Sequence, residues 1–185
     1  MAGKPQYEVA ITGLGGQGAL LFGQLLAEAG LKTFKNVGFF PQYATMMRGG
    51  ESECTVTLSD DDVDSLLVMN PKAAVVMALP KLRIFENKVK AGGLLMVDSS
   101  VITEKVKRKD LTVYYLPATK VAADLGDKRS ANIVFLGAYL EATKAAPLEK
   151  IEEVLEKKFS GKNAVISLNK KALREGARMI AEYQG

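Results

Sequence analysis

The sequence contains no histidine, and its single cysteine is Cys54. The absence of histidine excludes a Ser-His-Asp triad, a Cys-His pair and any metal site built on imidazole ligands. A single cysteine excludes an internal disulfide, a CxxC motif and a cluster held by cysteines of this chain alone. We therefore expect the chain to hold no metal. So few cysteines also favour a reducing compartment, and we expect a cytoplasmic location.

Charged residues are missing from one long stretch, residues 9–27. Its length is near that of a segment that spans a bilayer. Five glycines and two glutamines interrupt it, however, and these residues weaken both a membrane span and the apolar region of a signal peptide. The sequence therefore predicts no association with a membrane.

The chain also has no large excess of one charge, because 25 Lys and Arg face 21 Asp and Glu, a formal net charge of +4. Basic residues cluster only at Lys105, Lys107, Arg108 and Lys109. Binding to the phosphates of a nucleic acid needs a broader basic stripe. We therefore interpret the cluster as a solvated edge and predict no nucleic-acid partner.

A chain of 185 residues with 48% hydrophobic and 25% charged residues is typical of one soluble globular domain, and we assign residues 1–185 to it. Short apolar runs alternate with helical patterns along its length. This alternation predicts a single-domain, three-layer α/β fold of Rossmann-like type, in which a mostly parallel sheet carries helices on both faces. The predicted strands are residues 7–12, 31–37, 53–58, 73–79, 94–97 and 113–116.

The predicted helices are residues 17–29, 81–90, 118–125, 132–145 and 147–160, followed by a last helix that begins at a cap on Asn169. The strand from Glu53 to Leu58 alternates apolar and polar residues, with Cys54 on the apolar side. We therefore predict that Cys54 faces the core, and that this strand is a candidate for an antiparallel strand at the sheet edge. Residues 38–50 are rich in turn residues and aromatics, and we predict a functional loop there.

A glycine turn, Gly13-Leu14-Gly15-Gly16-Gln17-Gly18, joins the first predicted strand to the first predicted helix. Its spacing matches the dinucleotide-binding pattern, in which a phosphate faces a helix N-terminus. The acidic residue that would hold a ribose about 20 positions on is absent. Three interpretations remain open: binding of NAD or FAD, binding of another phosphate-bearing group, and close packing of the helix on the strand or against a partner chain. The candidate binding residues of this turn are Gly13, Gly15, Gly16, Gln17 and Gly18.

A second candidate binding motif is Arg48-Gly49-Gly50. A planar guanidinium beside two glycines can meet a carboxylate or phosphate with little steric hindrance, and a surface turn is the alternative. Polar residues also follow the predicted strand ends, where ligands bind in parallel sheets. Local hydrogen bonding in turns is the alternative for these residues, which are Asp98, Ser99, Ser100 and Thr119. No arrangement of residue types points to catalysis, and we predict no catalytic residue.

Several segments of the chain resemble one known family. They are residues 11–21 (ITGLGGQGALL), 48–60 (RGGESECTVTLSD), 92–100 (GGLLMVDSS), 117–122 (PATKVA), 132–138 (NIVFLGA) and the tail at 169–176. The combination of GxGGQG with a following RGG is the most specific of these features. The chain resembles the gamma subunit of 2-oxoacid:ferredoxin (acceptor) oxidoreductases, and most closely the separate small chain of the 2-oxoglutarate type.

The resemblance implies an enzyme subunit that is inactive alone, in a cytoplasmic hetero-oligomer that oxidatively decarboxylates a 2-oxoacid to its acyl-CoA and passes electrons to ferredoxin. It implies alpha and beta partners that hold thiamine diphosphate, and a ferredoxin-like delta partner that shares the iron–sulfur clusters with beta. The gamma chain would have a role in assembly and in binding coenzyme A, with the crevice at Gly13–Gly18 and Arg48 as the site of coenzyme A or of a partner. The alternative is a free-standing nucleotide- or coenzyme A-binding module.

Overall fold

The computed structural model describes residues 6–43, 50–61 and 68–183. The strands within these ranges are β1 (Tyr7–Leu14), β2 (Asn36–Tyr43), β3 (Glu51–Ser59), β4 (Ala73–Val76), β5 (Leu94–Asp98) and β6 (Thr112–Leu116). The helices are α1 (Ala19–Gly30), α2 (Leu79–Lys88), α3 (Ala118–Asp124), α4 (Ala131–Thr143), α5 (Leu148–Lys158) and α6 (Asn163–Ala181), with a short 3-10 turn at Lys128–Ser130 before α4.

The strands form one six-stranded sheet in the order β2-β3-β1-β4-β5-β6. The pairs β1–β4, β4–β5 and β5–β6 are parallel, whereas β3 is antiparallel to both β1 and β2. The predicted α/β class with a mostly parallel sheet is thus confirmed. The predicted edge position of the antiparallel strand is wrong, because β2 lies outside β3 and forms the edge.

The second strand lies later in the chain than predicted. The backbone N–H groups of Leu31 and Thr33 donate to the carbonyls of Ala27 and Gly30, so these residues prolong the end of α1 as turns. Residues 36–43, most of them predicted as loop, instead pair with β3 in a register from Asn36↔Ser59 to Tyr43↔Ser52. Pro41 is compatible with this strand, since an edge strand has one side on which a missing N–H donor costs little.

Two apolar clusters cover the two faces of the sheet. Val9, Val75 and Met96 face a large cluster that includes the buried sides of α1, α3, α4, α5 and α6. Ala10 and Val76, which alternate with them along the strands, face a smaller cluster formed with α2. Helices therefore lie on both faces, as predicted, and the sheet is the middle layer of three.

Cys54 faces the large cluster, as the alternation of its strand predicts. Its side chain is fully buried, and its Sγ donates to the carbonyl of Ala19 at 3.3 Å. Burial raises the pKa of the thiol to about 12, because the thiolate would lose its hydration. Cys54 is thus a packing residue with an unreactive thiol.

The last helix begins earlier than predicted, at Asn163. Asn169 is consequently not a cap but an interior residue of α6, only 7% exposed, on the side that carries the buried Leu173. α6 packs against α4, which is buried along most of its length. In the described part of the chain, no helix combines the length and apolar character needed to cross a membrane.

Candidate functional site

The carboxyl ends of β1, β4, β5 and β6 meet at one edge of the sheet, because these four strands run parallel. A cavity of about 230 Å³, here called the edge cavity, lies there. Its lining comes from the segment after each strand: Gly16 and Gln17 after β1, Met77 after β4, Val101 after β5 and Thr119 after β6. The crevice predicted from the strand ends is therefore present.

The side chain of Gln17 holds the glycine turn in shape. Its Oε1 accepts from the backbone N–H of Leu14 at 2.6 Å, and its Nε2 donates to the carbonyl of Met77 at 3.0 Å. Both ends of the amide are thus occupied within the protein. A Cβ on Gly13 would lie 2.6 Å from Gln17 Oε1, so that glycine is required for the same arrangement.

Gly18 is also required by packing. It has φ +77°, and a Cβ there would lie 2.5 Å from Nδ2 of Asn132 in α4. The same Nδ2 donates to the carbonyl of Gly18 at 3.0 Å. Gly16 differs, because it has φ +94° with open space where a Cβ would project. Close packing therefore explains Gly13 and Gly18, whereas the backbone at Gly16 is open to a ligand.

The two motifs singled out in the sequence meet at one hydrogen bond. The backbone N–H of Gly15 donates to the carbonyl of Gly50, immediately before β3, at 2.8 Å. Arg48 and Gly49 lie outside the described residues. The structure thus places Gly50 beside the glycine turn, and a shared binding site for the two motifs stays a prediction.

Two helices begin beside the turn. The capping residue of α1, Gly18, provides no side-chain hydrogen bond, whereas the 3-10 turn that leads directly into α4 is capped by Asp127, whose Oδ1 accepts from the backbone N–H of Arg129. The free start of α1 and the cation of Lys128 therefore favour an anionic group near the edge cavity, whereas the cation of Arg129 is paired with Asp127. The sequence interpretation missed Lys128 and Arg129, because they follow α3 and carry no motif.

The polar residues after β5 serve local structure. Asp98 is fully buried, and its Oδ2 accepts from Oγ1 of Thr119 at 2.6 Å and from the backbone N–H of Thr119 at 3.2 Å. Its Oδ1 accepts from the backbone N–H of Ser100, whose own Oγ accepts from the N–H of Lys120. These bonds satisfy the N–H groups of Thr119 and Lys120 at the start of α3, so the alternative of local hydrogen bonding applies to Asp98, Ser100 and Thr119.

A second cavity, here called the helix cavity, lies on the other side of the turn and has a volume of about 320 Å³. It shares Gly16 with the edge cavity and also contacts Gly18, and its other walls come from α1, α4, α6 and the segments beside them. Asn132 and Asn169 line it. The sequence interpretation did not assign either asparagine to a site, although polar amides within apolar helices are a signal for one.

A third cavity, of about 470 Å³, lies at the opposite edge of the sheet, where β5 and β6 begin. It contains none of the predicted site residues. Its two lysines are engaged elsewhere, since Lys72 donates to the carbonyl of Gln6 and Lys90 pairs with Glu8. Over residues 6–43, 50–61 and 68–183, no group of three or more His, Cys, Asp or Glu is placed to hold a metal ion.

Known proteins of one family are similar to this chain. The model of the pyruvate ferredoxin/flavodoxin oxidoreductase family matches residues 8–179. Ketoisovalerate oxidoreductase subunit VorA of Methanothermobacter marburgensis is 32% identical over 173 residues, which are 93% of this chain but 36% of VorA. 2-Oxoglutarate synthase subunit KorC of the same organism is 31% identical over 188 residues, covering 96% of this chain and 98% of KorC.

A solved structure gives the same result for the fold. The gamma subunit of keto/oxoacid ferredoxin oxidoreductase from Geobacter sulfurreducens aligns with a TM-score of 0.81 and 28% identity, over 96% of this chain and 99% of that one. The chain thus spans about a third of VorA but nearly all of KorC and of the Geobacter subunit. The resemblance to gamma subunits stated from the sequence motifs is confirmed, and the chain belongs to the pyruvate ferredoxin/flavodoxin oxidoreductase family.

Proposed function

We propose that this chain is the gamma subunit of a 2-oxoacid:ferredoxin oxidoreductase, which decarboxylates a 2-oxoacid oxidatively, forms the acyl-CoA and passes electrons to ferredoxin. The observation that carries the proposal is the match to KorC over nearly the full length of both chains. The same match favours 2-oxoglutarate as substrate. Ketoisovalerate is the competing substrate, because VorA is about equally similar over its matching third.

In this proposal the chain binds and positions, and its partners carry the redox chemistry. Thiamine diphosphate and the iron–sulfur clusters belong to alpha, beta and ferredoxin-like delta subunits. This division is supported by the single cysteine of the chain, which is buried and bonded to Ala19. Ligation of a cluster needs several accessible thiolates.

The residues of the turn fit a phosphate-bearing ligand such as coenzyme A, whose thiol would accept the acyl group. Gly16 gives open backbone, the start of α1 has no side-chain cap, and the exposed Lys128 adds a cation. Gly13, Gln17 and Gly18 would keep the turn in shape. The hydrogen bond from Gly15 to Gly50 would keep the start of β3 beside it.

Affinity purification of the tagged full chain tests the subunit role. We expect a brown complex that contains chains with thiamine diphosphate and iron–sulfur clusters. Assays with 2-oxoglutarate, ketoisovalerate and pyruvate, each with coenzyme A and ferredoxin, would then identify the substrate. A colourless chain that elutes alone would overturn the subunit role and favour the free-standing coenzyme A-binding module.

Thermal unfolding of the isolated chain tests the binding site. Coenzyme A at about 100 times its Kd would stabilise the folded state by about 2.7 kcal/mol if it binds there. Replacing Arg48 or Lys128 with Ala should remove most of this protection. Lys109→Ala is the matched control, because Lys109 is an exposed cation that lines neither cavity. Equal protection of all variants would place the ligand elsewhere.

A further inference from the structure

The helix cavity contains hydrogen-bonding capacity that the protein leaves unused. Asn132 is only 1% exposed, and its Oδ1 has no partner in the described part of the chain. The orientation of this amide is fixed, since its Nδ2 donates to the carbonyl of Gly18. Its oxygen is therefore left as a buried acceptor without a donor, which is costly in a folded protein.

A second unpartnered amide lines the same cavity. Asn169 is 7% exposed, and its side chain makes no hydrogen bond with any described residue. An asparagine amide has two N–H donors and one acceptor oxygen. Asn132 of α4 and Asn169 of α6 thus meet at one cavity, Asn132 with an unbonded amide oxygen and Asn169 with an amide that makes no hydrogen bond in the described part of the chain.

The lining of the cavity limits what can occupy it. Apolar side chains come from Leu21 of α1, Phe159 after α5 and Leu168 of α6. Asp127, Arg129 and Ser130 also line the cavity, but Arg129 is paired with the Asp127 carboxylate and Oγ of Ser130 donates to the Asp127 carbonyl, so these groups are bonded to one another. A volume of about 320 Å³ lies at the lower end of the range for small-molecule sites. Carboxylates and phosphates have only acceptor atoms, so they would repel the free Oδ1 of Asn132. The occupant therefore needs a neutral donor, an acceptor beside it and flanking carbon.

We propose that the helix cavity binds a secondary amide flanked by a short carbon chain. The amide N–H would donate to Oδ1 of Asn132, and its carbonyl would accept from the side chain of Asn169. The inference rests on the proposed function only for the source of the amide: the pantetheine arm of coenzyme A, or the main chain of a partner subunit. If the source is coenzyme A, the inference also assigns its phosphates to the edge cavity and its neutral pantetheine arm to the helix cavity.

Panthenol, which has one secondary amide and neither phosphate nor thiol, is a direct probe, and pantolactone is its counterpart without the amide. We expect panthenol to shift the side-chain amide signals of Asn169 in NMR spectra of the full chain, and pantolactone to leave them unchanged. Asn169→Leu should weaken panthenol binding at least tenfold without lowering Tm, since it replaces an unpaired buried amide with an apolar group. Asn163→Leu, an exposed position of the same helix, is the control and should bind panthenol normally.

Competition separates the two sources of the amide. Displacement of panthenol by coenzyme A would assign the site to the pantetheine arm, whereas panthenol binding without displacement would assign it to a partner main chain. Equal shifts with panthenol and pantolactone, or normal panthenol affinity in Asn169→Leu, would overturn the inference. The proposed function would survive that result, because its own test is purification of the complex with 2-oxoacid activity.

Discussion

Two glycines of the turn between β1 and α1 have left-handed backbone conformations, but their surroundings differ. Gly16→Ala would place its methyl group in open space, so we expect only the cost of the backbone conformation, about 1 kcal/mol. Gly18→Ala would add a clash with Nδ2 of Asn132 and disturb the bond from that atom to Gly18, and we expect a loss of about 3 kcal/mol.

Urea denaturation of both variants, monitored by circular dichroism, measures the difference. Equal losses of stability would contradict the assignment of Gly18 to packing. If the proposed site is correct, Gly16→Ala should also lose protection by coenzyme A despite its small effect on stability, because its methyl group would enter both cavities.

At the scale of elements, α4 and α6 cross with their backbones in contact. A Cβ on Gly137 of α4 would lie 1.8 Å from the carbonyl oxygen of Leu173, and a Cβ on Gly176 of α6 would lie 1.8 Å from that of Val134. No side-chain rotation relieves a clash with backbone. We therefore expect Gly137→Ala to cost about 3 kcal/mol or more, although alanine usually favours a helix over glycine by about 1 kcal/mol.

Thermal unfolding measures this cost. Ser167→Ala, an exposed position of α6, is the control and should change stability by less than about 0.5 kcal/mol. A stable Gly137→Ala would show that the two helices can separate to accept the methyl group, contrary to the close crossing described above.

A buried glutamate joins α2 to the segment before β6. Glu86 is 3% exposed; its Oε1 accepts from the backbone N–H groups of Lys107 and Arg108, and its Oε2 accepts from Arg83 at 2.5 Å. Burial alone would raise the pKa of Glu86, but these hydrogen bonds outweigh it and lower the pKa below 4.5. The guanidinium of Arg108 also donates to the backbone carbonyls of Glu86 and Val89, at the end of α2. This residue of the basic cluster is therefore anchored to the fold.

Because the folded-state pKa of Glu86 is depressed, its stabilising effect is complete above the unfolded value of 4.5 and is lost as pH falls through the folded value. Glu86→Gln should cost about 2 kcal/mol at pH 7 and less at pH 3. Chemical denaturation at the two pH values measures this. Glu104→Gln, which removes the exposed partner of Arg83, is the control and should cost under about 1 kcal/mol. An equal cost for Glu86→Gln at both pH values would contradict the assignment.

Local patterns predicted the elements whose signals are local. The glycine turn Gly13–Gly18, between an apolar run and a leucine-rich helical pattern, was sufficient to predict β1, the turn and α1. The edge strand β2 was mispredicted, because its formation depends on pairing with β3 rather than on its own turn-rich composition. Asn169 was mispredicted as a cap, because asparagine favours caps in general. In the structure it is an interior residue of α6, buried where that helix lines the helix cavity.

In the candidate site, too, only the residues that belong to a local motif could be predicted from the sequence. The glycine turn and Gly50 could be predicted because they belong to local sequence motifs, and within the turn the positive φ of Gly16 and Gly18 favours glycine. Asn132, Lys128 and Arg129 could not, since they reach the turn only after the sheet has brought α4 beside α1. Residues that act through tertiary proximity leave no spacing in the sequence by which to find them.

At the scale of the whole molecule, the two apolar clusters are separated by the sheet but share its strands. Alternate residues of β1 and β4 belong to opposite clusters, so neither cluster can open without loss of the strands that support the other. We therefore predict that the chain, as a single domain, unfolds in one cooperative transition. Far-ultraviolet and near-ultraviolet circular dichroism should give coincident curves, and the calorimetric enthalpy should equal the van't Hoff enthalpy.

Variants placed on opposite sides of the sheet sharpen this test. Glu86→Gln weakens the layer formed by α2, and Gly137→Ala weakens the layer that contains α4. If the strands couple the layers, each variant should move the whole transition to lower temperature without splitting it, and the double variant should lose the sum of the two free energies, because the sites are distant. A second transition in either single variant would show instead that one layer unfolds independently of the other.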